Sequence, residues 1–395
     1  MRRHLKQRFG MATMLVGLIG FSACGDSKSP IAGSDGGLND ASANDDSDTT
    51  VVDCDDVGTV STATPTPQSS SDTSNFNVQP LACELTSAAL GCSIGTQHQY
   101  LESISGNKRL ITANGIPNHD VGEFPNNDNP NTIAAQSYNF EVPVSPSGKG
   151  EDSELTFGIA ISGVVFEPGT AEMWRDNPDW RYEALRYADA PDYFQVNGGS
   201  DTTMHPNGLG VDCNFAHVQP DGSYHYHGIP TGLLPSSPAL TFVGWAADGY
   251  PVFAKWGYED ANDVQSNLIE LKSSYALKNG TRPSGSSGPG GSYDGTFVQD
   301  WQYAEDSGDL DECNGRTGVV SVNGEQMTTY HYYLTETFPY IPRCYHASPD
   351  DSFAPDPGGN NTGQLPSCPP GQTSMCCGDG YCAGPETPMN CSADC

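Results

Sequence analysis

Basic residues are scarce in this sequence. Its 395 residues include 17 Lys and Arg against 49 Asp and Glu, which gives a formal net charge of -32. A chain this acidic repels polyanions, so the composition excludes nucleic acid as a partner and excludes charge-driven binding to an anionic membrane surface. The acidity favours solubility but selects no activity.

Long apolar runs are also rare. The run from Met11 to Phe21 is too short to span a bilayer and follows four basic residues among the first eight. This arrangement is typical of a secretory signal peptide, which we predict over residues 1–24. Residues 21–24 (FSAC) resemble the lipobox of bacterial lipoproteins, whose cysteine is acylated. We therefore expect a lipid on Cys24 to be the only membrane contact, at the outer membrane or cell surface; secretion is the alternative.

Two segments contain little that a folded core could bury. Residues 25–80 hold ten Asp and a single Lys among many Ser and Thr. Residues 350–367 are rich in Asp, Pro, Gly and Asn. Such compositions cannot offset the entropy cost of ordering the chain. We therefore predict a disordered acidic tether over residues 25–82 and a linker over residues 350–367.

The last 28 residues, 368–395, contain hardly any large apolar side chains but six cysteines. A piece this small needs cross-links to hold a shape, so we predict a separate disulfide module that resembles short Cys-rich repeats of secreted bacterial proteins. Asp379, Glu386 and Asp394 are its candidate calcium ligands; a module held by disulfides alone is the alternative. Its cysteines are Cys368, Cys376, Cys377, Cys382, Cys391 and Cys395.

The number of cysteines indicates an oxidising compartment. With Cys24 set aside as lipid-modified, twelve of the 13 remain, an even number that is typical of an exported disulfide-bonded protein. Six of these lie outside the C-terminal module. We predict the pairs Cys313–Cys344 and Cys83–Cys92, which leave Cys54 and Cys213 without an obvious partner.

Residues 83–349 have the composition of one large globular domain, in which aromatic and apolar runs alternate with Gly and Pro. Apolar β-forming runs are frequent, whereas helical periodicity is weak. We therefore predict a mainly β fold with a few short helices, a β-rich α+β domain. The strands are predicted at residues 155–161, 164–166, 239–245 and 250–254, and the helices at residues 180–188 and 263–277.

Histidines are concentrated in one stretch. Four of the nine, His205, His217, His225 and His227, lie within 23 residues. Residues 224–227 (YHYH) predict a short strand, because Tyr favours β-structure and an Asp-Gly turn precedes them. Side chains alternate along a strand, so His225 and His227 should share one face, where two imidazoles can bind one metal ion.

This tetrapeptide resembles the motif that gives the YHYH-domain proteins their name, and the resemblance extends from Ser87 to Pro349. It implies an architecture and candidate positions, but no reaction. Six further segments resemble that family in the same order: residues 114–119 (NGIPNH), 129–133 (NPNTI), 166–172 (FEPGTAE), 248–253 (DGYPVF), 309–316 (DLDECNGR) and 338–344 (FPYIPRC).

We predict a metal site from these histidines. Neutral imidazole binds zinc, copper, nickel and iron, and an exported protein meets chiefly zinc and copper. Asp212 is a candidate carboxylate ligand or a partner that orients an imidazole. Three His with an open position would allow catalysis, and four would make a closed structural site. The candidate His ligands are, in order, His225, His227, His217, His205 and His119.

Three alternatives remain open. His and Tyr side chains that are buried and hydrogen-bonded in a β core would need no ligand. A bound metal would permit hydrolysis with Asp248 or Asp212 as general base, although no H-E-x-x-H or P-loop motif marks a reaction. Tryptophans at the surface would make the domain a binding module for a protein or glycan partner. These tryptophans are Trp174, Trp180, Trp245 and Trp256.

Overall fold

The computed structural model describes Cys54 and residues 80–153, 156–175, 177–189 and 208–354. Several predictions fall outside these residues: the signal peptide with Cys24, most of the tether, His205 and the C-terminal module with its six cysteines. Within the described part, strands far outnumber helices. The prediction of a mainly β globular domain with a few short helices is therefore confirmed.

One α-helix, α1 (Ser87–Ile94), occurs in the described residues, and the sequence analysis missed it. Thr86 caps its first turn by accepting a hydrogen bond from the Ala89 N–H at 3.2 Å, and Gly95 ends it with a φ of 81°. None of the described helices is long and apolar enough to cross a membrane. Short 3-10 helices lie at Ala184–Asp189, Thr231–Leu233, Val298–Asp300 and Asp351–Phe353.

Both predicted helices need correction. Residues 180–188 begin in the strand Asn177–Arg181 and continue into the 3-10 helix Ala184–Asp189. Residues 263–277 contain turns and two short strands, so the prediction of a helix there is wrong. The carboxylates of Asp260 and Asp263 accept hydrogen bonds from backbone N–H groups two residues later. Such local bonds compete with the helical hydrogen-bond pattern.

The strands of the described domain form five sheets. An antiparallel sheet contains β1 (Tyr100–Ser105), β2 (Lys108–Ala113) and β3 (Tyr138–Pro143). The central sheet contains β4 (Gly158–Ala160), β5 (Val165–Phe166), β8 (Ala216–Val218), β9 (Tyr224–Tyr226), β10 (Thr241–Ala246), β11 (Pro251–Ala254), β16 (Gly315–Val322) and β17 (Glu325–Leu334). Three strand pairs complete the set: β6 (Met173–Trp174) with β7 (Asn177–Arg181), β12 (Trp256–Tyr258) with β13 (Leu268–Glu270), and β14 (Tyr275–Leu277) with β15 (Trp301–Tyr303).

The central sheet has the strand order β16-β17-β11-β10-β4-β5-β9-β8. In one half, β4 and β5 are antiparallel neighbours, β9 lies parallel to β5, and β8 forms the edge. In the other half, β10 and β11 are antiparallel neighbours, β17 lies parallel to β11, and β16 forms the edge. The two halves therefore repeat one connectivity in chain order and meet where β4 pairs with β10.

Two glycines set the contact between these halves, where Ile159 pairs with Trp245. A Cβ atom on Gly158 would lie 2.2 Å from the Trp245 carbonyl oxygen. A Cβ atom on Gly244 would lie 2.3 Å from the Ile159 carbonyl oxygen. Because neither position has room for a side chain, β4 and β10 can approach this closely only with glycine at both.

The hydrophobic core joins the central sheet to the β1–β3 sheet, through Ile111, Phe140 and Val142 among others. At the C-terminal side, Phe353 stacks on Phe140 with ring centroids 4.1 Å apart, so the domain continues past the predicted boundary at residue 349. At the N-terminal side, the Leu81 N–H donates to the Val211 carbonyl at 2.9 Å. The end of the predicted tether is thus bonded to the domain.

Three disulfides cross-link the described residues: Cys54–Cys92, Cys83–Cys213 and Cys313–Cys344. The predicted Cys313–Cys344 pair is confirmed, whereas the predicted Cys83–Cys92 pair is wrong. Closeness in sequence was misleading, because a β-bridge between Leu81 and Asp212 brings two distant segments together. Disulfides are typical of extracellular and cell-envelope proteins, which agrees with an oxidising compartment.

Candidate metal centre

The YHYH segment separates its side chains onto the two faces of β9. Tyr224 and Tyr226 are fully buried in the hydrophobic core, and the Tyr224 hydroxyl donates to Asp212 Oδ2 at 2.7 Å. His225 and His227 bring their Nε2 atoms within 3.0 Å of each other. The sequence prediction that these two imidazoles share a face is therefore confirmed.

His217 joins them from the neighbouring strand. Antiparallel pairing of β8 with β9 places His217 directly opposite His225. The centroids of the three rings are 4.5, 4.7 and 4.9 Å apart, and one ligand nitrogen of each lies within 4.8 Å of the others. Zinc–nitrogen bonds of about 2.0–2.1 Å in tetrahedral geometry place two ligand nitrogens about 3.3 Å apart. The three histidines could therefore hold one metal ion.

Backbone carbonyls orient two of the rings. His217 Nδ1 lies 3.1 Å from the Leu209 carbonyl oxygen, and His225 Nδ1 lies 3.2 Å from the Ser223 carbonyl oxygen. The Ser223 carbonyl only accepts, so His225 Nδ1 carries the proton and His225 Nε2 keeps its lone pair, whereas His217 Nδ1 also lies 3.1 Å from Asn129 Nδ2, which is a donor. A carbonyl partner on the nitrogen that faces away from the ion is typical of ligating histidines.

Burial keeps His217 and His227 neutral. His225 and His227 are 1% and 3% exposed, and His217 is half-buried. Burial lowers the pKa of His217 and of His227 well below the usual histidine value, and the neighbouring imidazoles lower each pKa further. Neutral imidazole is the form that binds a metal, so these rings need lose no proton to accept an ion.

Glu167 is a member of the site that the sequence analysis missed. Its Oε2 atom lies 3.7 Å from His225 Nε2 and accepts a hydrogen bond from Gln219 Nε2 at 2.8 Å. Burial raises the pKa of Glu167, while His225 opposes that rise. Glu167 directly follows β5, which pairs in parallel with β9. Its place in the FEPGTAE segment was the available signal, but nothing in the sequence shows that β5 and β9 are neighbours.

The profile of the YHYH protein family matches residues 139–347, which is more than half of the chain. The chain belongs to the YHYH protein family. The match includes the tetrapeptide, the three clustered histidines and Glu167. Searches of curated proteins and of solved structures found no match.

His119, another predicted ligand, lies on the opposite face of the YHYH strand. Its Nε2 atom is 2.5 Å from the Tyr226 hydroxyl, and its Nδ1–H donates to the Asp120 carbonyl at 2.9 Å. The Tyr226 hydroxyl is also 2.8 Å from Ser162 Oγ. Both nitrogens of His119 are therefore used in the core, and the structure does not bring this residue to the other histidines.

Asp212 also lies away from the YHYH histidines. Its carboxylate accepts hydrogen bonds from the backbone N–H groups of Gly122 and Asn214 at 2.9 Å each and from the Tyr224 hydroxyl. Burial raises the pKa of Asp212 to about 6, and these donors oppose the rise. None of the partners described for Asp212 is an imidazole. It anchors the loop before β8, and the predicted role as a ligand or imidazole partner is not what the structure shows.

Asp248, proposed as an alternative general base, also has a structural environment. Its Oδ2 atom accepts hydrogen bonds from the Tyr332 hydroxyl at 2.6 Å and from the Ala347 N–H at 3.0 Å. Asp248 belongs to the half of the central sheet that lacks the YHYH histidines. The geometry therefore offers Glu167, and neither predicted aspartate, as the carboxylate beside this centre.

The tryptophans of the YHYH domain do not form a binding surface. Trp174, Trp180 and Trp245 are at most 8% exposed, and Trp256 is half-buried. The Trp245 ring is covered by the Arg109 guanidinium, whose Cζ atom is 3.7 Å from a ring centroid. The hypothesis of a module that presents these tryptophans to a partner is therefore wrong, because most of their surface packs in the protein.

A nucleophile-elbow pattern, G-x-S-x-G, occurs at residues 91–95, but its setting differs from that of a catalytic serine. Ser93 lies in the last turn of α1 and donates to the Leu90 carbonyl at 2.8 Å. The neighbouring Cys92 is bonded to Cys54. An elbow requires a strand that leads directly into the serine turn, and α1 begins without one.

Proposed function

We propose that this YHYH domain binds one transition-metal ion, zinc or copper, through His217, His225 and His227. The convergence of three imidazoles from two adjacent strands carries the proposal. Imidazole nitrogen suits both metals, and these are the ions that an exported protein chiefly meets. The carbonyl partner of His225 supports it, because it leaves the lone pair on Nε2, which lies 3.0 Å from His227 Nε2.

Hydrogen bonds alone satisfy the cluster poorly. One N–H can bridge the 3.0 Å between the Nε2 atoms of His225 and His227. His227 Nδ1 would then be a buried acceptor, and it has no hydrogen-bond partner among the described residues. A buried polar atom without a partner costs about 1–3 kcal/mol. One ligand nitrogen of His217 lies within 4.8 Å of the ligand nitrogens of His225 and His227, so a cation between the three rings is favourable.

Glu167 supplies the fourth ligand in this proposal. Its carboxylate oxygen is 3.7 Å from His225 Nε2, and the raised pKa shows that burial disfavours its charge in the absence of a cation. A divalent ion would offset that cost and favour the ionised form. Three nitrogens and one carboxylate oxygen match the four-coordinate preference of zinc.

Metal-dependent hydrolysis is a second candidate, and the same residue favours it. If the ion keeps an open position beside Glu167, the ionised carboxylate would be placed to accept a proton from metal-bound water as a general base. In that case Glu167 would transfer a proton and would not ligate the ion. The two candidates assign one carboxylate different roles, so a single substitution separates them.

Elemental analysis of protein purified without a His tag tests the metal proposal. We expect stoichiometric zinc or copper after loading and dialysis, and loss of that metal from the double variant His225→Ala/His227→Ala with its disulfides intact. His346→Ala is the matched control, since His346 is exposed and lies outside the cluster. A wild-type protein that remains metal-free after loading with both ions would overturn the proposal.

The variant Glu167→Gln distinguishes a ligand from a base. We expect it to weaken metal affinity about 10–100-fold if the carboxylate supports the ion directly. If Glu167 is a general base, the variant keeps its metal, and hydrolysis of ester, phosphate or peptide substrates by the wild type falls about 10²–10⁴-fold. Competition titration with a metal chelator measures the first effect, and a substrate panel measures the second.

We also propose that the domain works in the cell envelope, attached through a lipid on Cys24. The three disulfides support export, and the FSAC segment supports acylation. Mass spectrometry of the protein from a bacterial membrane fraction should show an acylated N-terminal cysteine. The variant Cys24→Ser should be found in the soluble fraction, and an unchanged distribution would contradict the lipid anchor.

A further inference from the structure

The two halves of the central sheet agree in register as well as in connectivity. On one side, Ala216 pairs with Tyr226 and His217 pairs with His225. On the other side, Gly315 pairs with Tyr332 and Arg316 pairs with His331. In each half, the pairing joins the edge strand, β8 or β16, to its neighbour, β9 or β17. Residues 224–227 (YHYH) are thus equivalent to residues 330–333 (YHYY).

The loops that lead into the two edge strands are also equivalent. Asp212 accepts hydrogen bonds from the Asn214 N–H and the Tyr224 hydroxyl, and its backbone N–H donates to the Ala216 carbonyl at 2.8 Å. Asp311 has the same set of partners: the Cys313 N–H and the Tyr330 hydroxyl, both at 3.0 Å, and the Gly315 carbonyl at 2.9 Å. The residue before each edge strand has a positive φ, 52° at Phe215 and 55° at Asn314.

The equivalence extends to the hairpins at the sheet centre. Gly163 and Gly249 both have positive φ values, 71° and 97°, in the turns that follow β4 and β10. Their N–H groups donate to the Ala160 and Ala246 carbonyls, each at 2.9 Å. Just before these glycines, Ser162 contacts the Tyr226 hydroxyl and Asp248 contacts the Tyr332 hydroxyl. The two halves therefore repeat one structural unit.

His225 and His331 have the same hydrogen-bond arrangement in the two units. His225 Nδ1 lies 3.2 Å from the Ser223 carbonyl oxygen, and His331 Nδ1 lies 3.0 Å from the Thr329 carbonyl oxygen. The Nε2 atom of each points to the side chain two residues later. In the first unit the partner of Nε2 is His227 Nε2 at 3.0 Å, and in the second unit it is the Tyr333 hydroxyl at 3.1 Å.

Two of the three clustered imidazoles are replaced in the second unit, and Phe253 occupies the position of Glu167, because Phe166 pairs with Tyr226 where Val252 pairs with Tyr332. Arg316 occupies the position of His217, and Tyr333 occupies the position of His227. The Arg316 guanidinium carbon lies 5.5 Å from the Tyr333 ring centroid, and Nη2 donates to the Tyr258 carbonyl at 2.6 Å. A fixed positive charge is therefore present beside His331, where the first unit has a third imidazole, His217.

We propose that Arg316, His331 and Tyr333 form a second, metal-free copy of the histidine centre, in which the guanidinium provides the positive charge that a metal ion provides in the first copy. The copy keeps one ligand, His331, in the orientation of His225. It is thus a latent metal site that lacks two imidazoles and the carboxylate that Glu167 provides in the first unit. The identity of the ion rests on the proposed function, whereas the equivalence of the two sites rests on the register and hydrogen bonds above.

Introducing the two missing imidazoles into the second site tests the proposal. The variant Arg316→His/Tyr333→His should raise the metal content from one ion to two per chain. In the His225→Ala/His227→Ala background, the same pair should restore one ion and the visible absorption of a cobalt(II)-loaded site. Arg316→His/Tyr333→Phe is the matched control, since it supplies only two imidazoles and should add no stoichiometric metal. A folded Arg316→His/Tyr333→His protein that gains no ion would overturn the latent site.

The reciprocal exchange has a readout that needs no metal. His217→Arg/His227→Tyr gives the first unit the side chains of the second, so it should fold with native disulfides and bind no ion. Failure of this variant to fold, while the control His217→Arg/His227→Ala folds, would overturn the equivalence of the sites. A metal-free wild-type protein would instead overturn the proposed function and the comparison of the guanidinium with a metal ion, but not the equivalence of the two sites, because the folding result does not depend on bound metal.

Discussion

His331 shows at the scale of one residue how burial controls protonation in this domain. Burial lowers the pKa of His331 to about 4; the bond to the Thr329 carbonyl opposes this shift and the charge of Arg316 adds to it. An exposed histidine in the unfolded chain titrates near pH 6.5. Between these values the unfolded chain binds a proton that the folded protein does not. The free energy of unfolding therefore falls as the pH decreases through this window.

Replacing His331 by Asn should remove this pH dependence. Relative to the variant, the wild type should lose roughly 3 kcal/mol of stability between about pH 7 and pH 4. Urea denaturation of both proteins across this range, with a chelator present, measures the difference. A difference between wild type and His331→Asn that does not vary with pH would contradict the assignment.

Glu167 is a residue of the site whose position no local sequence pattern could predict. Histidines stand out because they are few and clustered, but Glu167 is one of many acidic residues in a chain with 49 of them. Its closeness to His225 follows from the parallel pairing of β5 with β9, with a long segment of chain between these strands. Parallel pairing leaves no turn sequence between the strands, so no local pattern predicts it.

At the scale of elements, strand alternation was predictable and strand partnership was not. Alternation in residues 224–227 placed His225 and His227 on one face, since successive side chains of any strand point to opposite faces. His217 reached the same site because β8 pairs with β9 in one particular register. The helix predicted at 263–277 failed for a related reason, because local Asp hydrogen bonds competed with the periodic pattern.

The contact between β4 and β10 gives a prediction for the two halves of the sheet. Gly158→Ala and Gly244→Ala should each destabilise the protein by about 2 kcal/mol or more, because each new methyl group would meet a backbone carbonyl. The two losses should be similar, since the positions are equivalent. Chemical denaturation measures both.

Gly91→Ala is the control for these substitutions. The atoms nearest to its new methyl group belong to the Gln97 side chain, which can move, and Gly91 lies in α1 where Ala is favoured. We expect this variant to be neutral or stabilising. If Gly158→Ala or Gly244→Ala were equally neutral, the close approach of β4 and β10 would not constrain the sheet.

At the scale of the whole molecule, the disulfides connect segments that are far apart in sequence. Cys83–Cys213 closes a separation of 130 residues, whereas Cys313–Cys344 closes one of 31. In the chain-entropy description, a longer loop restricts the unfolded chain more, so the bond that closes it stabilises the folded state more. The Cys83–Cys213 bond should therefore contribute the larger share.

Removing each bond tests this ranking. The variant Cys83→Ser/Cys213→Ser should lose about 1 kcal/mol more stability than Cys313→Ser/Cys344→Ser. Urea denaturation of the two variants and the wild type, at one pH and with equal metal content, measures the losses. A larger loss from removing Cys313–Cys344 would show that local packing around that bond outweighs the entropy of the longer loop.

The sequence by itself determined the fold class, the presence of disulfides and the shared face of His225 and His227. These features follow from composition and from patterns within a few residues, which act in the same way in any surrounding structure. Only the tertiary structure decided that His217 and Glu167 join these histidines and that His119 and Asp212 do not. It also revealed the repeated unit with Arg316 in place of His217. Each of these depends on pairing between strands that are distant in sequence, and such pairing is set by the packing of the whole sheet.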